Sequence, residues 1–280
     1  MKTIADRLRQ SRVELTHSER LFADVILENY PASGLGSITS LSSRAGVSTA
    51  TVVRFVKKLG FDRYSEFQSR LRAELGDQLS GPITKHDRWI DAFPGEHILN
   101  RYTDSVIGNI KQSLGDLDVQ SFNLACDYIT DPKRSLFVVG GRITRILADH
   151  FFLHMQVVRP YVTLVNSNSN AWPHYLLDIK KGDVLVVFDT RRYETSTLRL
   201  VEFAKERGVE IILFTDQWQS PIAVSSSIVF TSRIEVPSAW DSIVPCLLLN
   251  EAIIANAQEM IWGTTRDRME ELEDMFDRTK

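Results

Sequence analysis

Cysteine is scarce in this 280-residue chain. Cys126 and Cys246 stand far apart with no CxxC spacing, which excludes a disulfide framework and a thiolate zinc site. Both fall in apolar helical patterns and are expected in the core. Long apolar runs are also missing: none approaches the roughly 20 residues needed to span a bilayer. The opening MKTIADRLRQ is charged and amphipathic, without the apolar stretch of a signal peptide. A soluble cytoplasmic protein with no membrane partner is expected. No strong excess of one charge is present either, the formal net charge being −3. Gly140-Gly141 is not a GxGxxG fingerprint, so a dinucleotide site has little support. His150 and His154 are four apart on a helical pattern, but no carboxylate completes an HExxH-type zinc site, and they read as core or interface residues. No metal and no cofactor is expected.

What is present is ample apolar material, 43% of residues, enough for two domains with cores of their own. The stretch from Ser37 to Gly60, SITSLSSRAGVSTATVVRFVKKLG, reads as two short helices joined at Gly46-Val47. Ile38, Leu41 and Ala45 recur at helical spacing before the turn, and Val52, Val53, Val56 and Leu59 after it. Ser48 suits the N-cap of the second helix and Gly60 its C-terminal stop. Thr49, Thr51, Arg54, Lys57 and Lys58 make the other face polar and cationic, with the small Ala50 near the start. This is a helix-turn-helix pattern with Ser48 to Leu59 as its recognition helix. A helical hairpin with a merely solvated cationic face would look similar. Charge partition favours the first reading, since residues 1 to 80 carry 12 Lys and Arg against 9 Asp and Glu while the chain as a whole is acidic.

Around this motif the first 80 residues read as an all-helical bundle. A short amphipathic helix is expected over 4 to 12. A capping box at Thr16-His17-Ser18-Glu19 opens the next helix, with Leu21, Phe22, Val25 and Ile26 as its apolar stripe. A further helix follows Gly60, turning Phe61, Tyr64, Phe67 and Leu71 inward. Residues 81 to 96 mix Gly, Pro and charge with no sustained period and read as a linker, whose Trp89, Ile90 and Phe93 are expected to dock on a neighbouring surface. From 97 to 280 the pattern changes class. Near-continuous apolar runs at 135–140, 161–165, 183–188, 210–215 and 227–231 alternate with helical patterns near 143–157, 170–178 and 195–207, and a long helix starts near Ser242. This predicts an α/β doubly wound domain with a mostly parallel five-stranded sheet covered on both faces, and a ligand site outside the carboxyl ends of the strands.

The segments HSERLFADVILENYP and SLSSRAGVSTATVVRFVKKLGFDRYSEFQSRL resemble the RpiR-type bacterial transcriptional regulators in order and spacing. Residues 98 to 262 resemble the sugar isomerase (SIS) domain of that family, most closely at AKERGVEIILFTD and Ser220-Pro221-Ile222-Ala223. The resemblance implies a DNA-binding regulator, not an enzyme, that responds to a phosphosugar. Family pockets hold phosphate with a Gly-rich, Ser-bearing turn after the first strand and a Ser-x-Ser-Gly-x-Thr turn after a later one. Here the first turn is Gly140-Gly141-Arg142-Ile143-Thr144-Arg145. The second runs Asp189-Thr190-Arg191-Arg192-Tyr193-Glu194-Thr195, with bulky or charged residues at the small positions. On one reading Arg142, Arg145, Arg191 and Arg192 clamp a different anion, since guanidinium forks suit carboxylate and phosphate. On the other the pocket has decayed, and these arginines face solvent or pair with Asp189 and Glu194.

Taken together, the expected partners are a double-stranded DNA operator and a small anionic metabolite. Thr49, Thr51 and Arg54 are assigned to base edges, and Ser48, Lys57, Lys58 and Arg44 to phosphates. The effector set is Gly140, Gly141, Arg142, Thr144, Asp189, Thr190, Arg191, Arg192 and Thr195. Trp172-Pro173-His174-Tyr175 either lines the pocket mouth or only covers the sheet. Two other functions stay open: a sugar-phosphate isomerase with an appended helical domain, for which Glu194 or His174 would supply the base, and a ligand-free architectural DNA binder. The apolar helix around Pro245 to Ile254 predicts a homodimer, or a tetramer as a dimer of dimers. The charged amphipathic tail from Arg266 either packs across another subunit or extends into solvent.

Overall fold

A computed structural model of the chain describes residues 3–11, 14–92, 97–166 and 168–279. They separate into two compact units. One comprises Met1–Glu96 with Gln217–Pro221 and Pro237–Trp240, and the other His97–Asp216, Ile222–Val236 and Asp241–Lys280.

The first unit contains α1 (Ile4–Gln10), α2 (His17–Leu27), α3 (Ile38–Arg44), α4 (Thr49–Lys58), α5 (Tyr64–Leu79) and α6 (Pro82–Ala92). Thr16 and Glu19 form the reciprocal capping box that starts α2. The core joins α2, α4 and α5: Phe22 meets Phe55 edge-on at 5.8 Å, Phe61 meets Phe67 at 5.6 Å, and Leu41, Val52, Val56 and Leu71 are buried beside them. Behind the core, Glu74 accepts hydrogen bonds from Tyr30 Oη, Arg70 Nε (2.8 Å) and Ile4 N (3.2 Å), which satisfies a buried carboxylate and ties α1 to α5. The expected inward faces need correction at two positions. Val53 is 40% exposed and Phe55 takes the inward position instead, while Leu21 is also exposed. The stretch expected as a linker is helical over Pro82–Ala92. Trp89 is half-buried; Phe93 and the side chain of Ile90 lie outside the described residues.

The second unit contains α7 (Ile98–Gly115), α8 (Val119–Thr130), β1 (Leu136–Gly140), α9 (Arg145–Val158), β2 (Val162–Leu164), α10 (Trp172–Asp178), β3 (Val184–Phe188), α11 (Thr195–Glu206), β4 (Glu210–Asp216), β5 (Ile228–Ser232), α12 (Val244–Met260) and α13 (Trp262–Thr279). The five strands pair in the order β2-β1-β3-β4-β5, and every pairing is parallel. Alternate strand residues enter two separate cores. Leu136, Val138, Val184, Val186, Ile212 and Phe214 pack beneath α8, α9 and α12. Phe137, Val139, Leu185, Val187, Ile211 and Leu213 pack with Trp172, Leu200, Val201 and Ala204 of α10 and α11. Burial on both faces is why these strands read as unbroken apolar runs. The chain leaves β1 toward β2 on one side and returns to β3 on the other, so the direction of winding reverses between β1 and β3. In open α/β sheets a ligand crevice opens there, at the carboxyl ends.

Candidate functional site: a recognition helix and the strand ends

The α3–α4 hairpin turns at Gly46, whose φ of +64° lies in the left-handed region that favours glycine. Ser48 Oγ accepts from Thr51 N at 3.1 Å and caps α4. Thr49, Ala50, Val53, Arg54 and Lys57 are exposed on α4, and Thr51 is half-buried with its Oγ1 2.9 Å from Ser48 Oγ. Spacings of three and four residues put Ala50, Arg54 and Lys57 on one outward face. The cations assigned to phosphate differ in their surroundings. Arg44 pairs with Glu28 at 2.6 Å, and Lys58 reaches Glu14 O (3.0 Å) and Glu19 Oε2 (3.2 Å). Burial pushes the Glu19 carboxyl up, but the Thr16 N–H and Lys58 outweigh it and hold the group below its ordinary value. Among the described residues no carboxylate pairs with Arg54 or Lys57.

At the strand ends the two turns meet. Thr144 Oγ1 donates to Phe188 O at the end of β3 (2.6 Å) and accepts from Gly141 N (2.8 Å), so it stitches β1 to β3. A Cβ on Gly140 would lie 2.6 Å from Thr144 O, which leaves room for glycine alone beside the start of α9. Glu194 is the N-cap residue of α11, yet its carboxylate makes no bond within that helix. Instead Oε1 accepts from Arg142 N at 2.8 Å. Arg142 and Arg192 are exposed, and Arg145 turns away to Asp149 Oδ1 (2.6 Å) and Val165 O (2.7 Å). Asp189 is buried with its N–H on Phe214 O, Thr190 is half-buried, and Thr195 is the exposed first residue of α11.

The Arg191 side chain is buried, 3% exposed. Its guanidinium grips Asp241 with both arms (Nε to Oδ2 3.0 Å, Nη2 to Oδ1 2.6 Å), and Glu235 Oε1 stands 3.7 Å away. Its N–H donates to Asp216 Oδ2 at 2.6 Å, and Tyr193 Oη donates to Asp216 Oδ1 at 2.8 Å. Burial alone would lower the Arg191 pKa, but Asp241, Glu235 and Asp216 together raise it. The partners of Arg191 therefore include carboxylates of the β4 end and the loop before α12. Sequence reasoning missed Tyr193, Asp216, Glu235 and Asp241, and no local signal pointed to them. His174 is exposed, with Nδ1 3.2 Å from Ala171 O. The His150 and His154 rings lie 4.6 Å apart, tilted at 51° to each other, with Glu251 3.7 Å from His150. Burial and then His154 lower the His150 pKa, which Glu251 only partly offsets. Among the described residues no group of three or more metal-ligating side chains is assembled, and no helix is long and apolar enough to cross a membrane.

Residues 2–78 match the helix-turn-helix domain of the rpiR family, and residues 128–256 match the SIS domain. The chain belongs to the RpiR-type family of transcriptional regulators. An uncharacterised helix-turn-helix regulator of Clostridium perfringens is 24% identical over 219 residues, covering 78% of this chain and 77% of that protein. One of Thermotoga maritima is 24% identical over 236 residues, covering 82% and 81%. The bifunctional protein glk of Paraburkholderia xenovorans is 25% identical over 247 residues, 88% of this chain, but the match spans only 38% of that longer protein. Among solved structures, the Vibrio vulnificus NanR protein complexed with ManNAc-6P superposes with a TM-score of 0.56 at 18% identity, covering 99% of each chain. The sugar isomerase domain of an RpiR transcription factor from Sphaerobacter thermophilus gives 0.58 at 18% identity, covering 63% of this chain and 97% of that one. The first superposition spans the helical N-terminal elements and the parallel-sheet domain, and the second spans the sheet domain.

Proposed function

We propose that the chain is a cytoplasmic regulator whose residues 1 to 80 bind an operator and whose residues 97 to 280 sense a small anionic metabolite and dimerise, with residues 81 to 96 joining them. The observation that carries this reading is the capped, outward-facing α4, whose Arg54 and Lys57 stand exposed without an internal carboxylate partner among the described residues. In this reading Thr49, Thr51 and Arg54 contact base edges, while Ser48, Lys57, Lys58 and Arg44 contact phosphates. Lys58 and Arg44 would exchange their present carboxylate partners for phosphate oxygens, a near-balanced trade at an exposed site.

The effector would bind at the β1 and β3 ends, drawing on Gly140, Gly141, Arg142, Thr144, Asp189, Thr190, Arg191, Arg192 and Thr195. That NanR was solved with ManNAc-6P makes a sugar phosphate the first compound class to test. Effector binding would change the spacing of two recognition helices and so their fit to two half-sites. Catalysis is not part of this reading, because the second turn lacks the small serine and glycine positions of a phosphosugar cradle and Glu194 is engaged by Arg142 N. Sugar-phosphate isomerisation is the alternative, and turnover of a sugar phosphate would support it.

Selection of bound DNA from a random library tests the proposal. A motif with two-fold symmetry is expected, and Arg54→Ala should relax preference at one position per half-site by about 1–3 kcal/mol. Failure to enrich any motif would sink the operator reading.

A further inference from the structure

We propose that Glu194 is a built-in occupant of the effector site, its carboxylate standing where an anionic ligand group would otherwise accept the Arg142 N–H. This inference rests on the strand-end effector reading above and deepens it. Glu194 is an N-cap residue that does not cap its helix; its side chain reaches across to the β1 turn, 52 residues earlier, and accepts from Arg142 N at 2.8 Å. The approach is close: a Cβ on Gly141 would stand 3.2 Å from Glu194 Oε1 and 3.3 Å from its Cδ. Thr144 Oγ1 and Gly141 N are already bonded to each other, and the hydroxyl also donates to Phe188 O. The turn's exposed backbone donor to Glu194 is therefore the one a ligand anion would compete for.

Charge sharpens the competition. The buried Asp189 and Asp216 lie at the same strand ends, and the buried Arg191 guanidinium is held by Asp241. A phosphate arriving beside Glu194 would meet its repulsion as well as its occupancy of the donor. Anion binding thus requires the Glu194 side chain to swing out, a single-bond rotation in a half-buried group. Glu194 accordingly sets selectivity: weakly charged or neutral sugars feel it little, and strongly anionic ligands must displace it.

The test is calorimetric titration of inorganic phosphate, a panel of sugar phosphates including ManNAc-6P, and the matching neutral sugars into the full chain and its Glu194→Gln and Glu194→Ala variants. Both variants should gain affinity for phosphate-bearing ligands on the order of tenfold or more, as expected on removing a like charge within contact distance. Affinity for neutral sugars should stay within about twofold, less than 0.5 kcal/mol. Glu194→Gln keeps size and shape, so it guards against a folding defect in Glu194→Ala. If the parent chain binds a phosphorylated ligand and neither variant binds it more tightly, the role assigned to Glu194 is wrong while the effector site stands. If no phosphorylated ligand binds any of the three folded proteins, the effector reading falls and the Glu194 inference with it.

Discussion

Lys57 shows how a residue's surroundings decide its use. It and Lys58 are neighbours on α4, yet Lys58 is drawn back to Glu14 and Glu19 while Lys57 stands clear in solvent. Replacing Lys57 by Ala should weaken operator and random DNA alike and reduce the slope of log affinity against log salt by about 1. Titrations at several salt concentrations check this, and an unchanged slope would remove Lys57 from the phosphate contacts. Arg191 is the opposite case, a buried cation whose guanidinium is paired with Asp241. Asp241→Asn leaves that guanidinium buried with half its partner's charge-assisted bonds lost, and should destabilise the protein by about 3 kcal/mol, the lower end for a broken buried pair because Glu235 remains nearby. Urea denaturation gives the number, and a change below about 0.5 kcal/mol, the range of ordinary surface substitutions, would show that the pair is not structural.

At the scale of the element, local chemistry sets where helices begin. The Thr16–Glu19 box starts α2, and Thr16→Ala should cost about 0.5–2 kcal/mol at neutral pH. Part of that contribution comes from the ionised Glu19, whose carboxyl titrates lower folded than unfolded. The stabilisation is therefore complete above the unfolded glutamate value, about 4.3, and is lost as pH falls through the folded value. Denaturation of both proteins at pH 7 and pH 3 should show the difference narrowing in acid; a constant difference would mean that Glu19 takes no charged part in the cap. Periodicity placed α4 correctly but misjudged its roll. Val52, Val53 and Val56 look equivalent at helical spacing, but Phe55 packs edge-on against Phe22 while Val53 is left exposed. Residues 81 to 96 read as a linker because they mix Gly, Pro and charge with no sustained period. Pro82 is in fact the first residue of α6, a position where its missing N–H costs nothing.

At the scale of the whole molecule, α7 has no buried residue and exposes Ile98, Leu99, Ile107 and Leu114, while α13 exposes Met275 and Phe276 near its end. We read these exposed apolar side chains as candidates for an association face. We expect a homodimer in solution, with a sedimentation mass about twice that of the 31.9 kDa chain and a melting temperature that rises with concentration. A tetramer would add a second such face; a monomer at micromolar concentration would remove the symmetric two-site operator from the argument.

The sequence by itself determined the two fold classes, the positions of the five strands and their covering helices, and the helix-turn-helix with its caps. Each of these depends on periodicity or capping chemistry within a few residues, which the chain order displays directly. The tertiary structure alone decided the strand order, the roll of α4, and the partners of the charged turns. Arg191 meets Asp241 50 residues further on, and Arg142 meets Glu194 52 residues away, because the parallel sheet brings the carboxyl ends of β1, β3 and β4 side by side. A buried guanidinium is satisfied by whichever carboxylates that arrangement delivers, and chain order carries no record of the delivery.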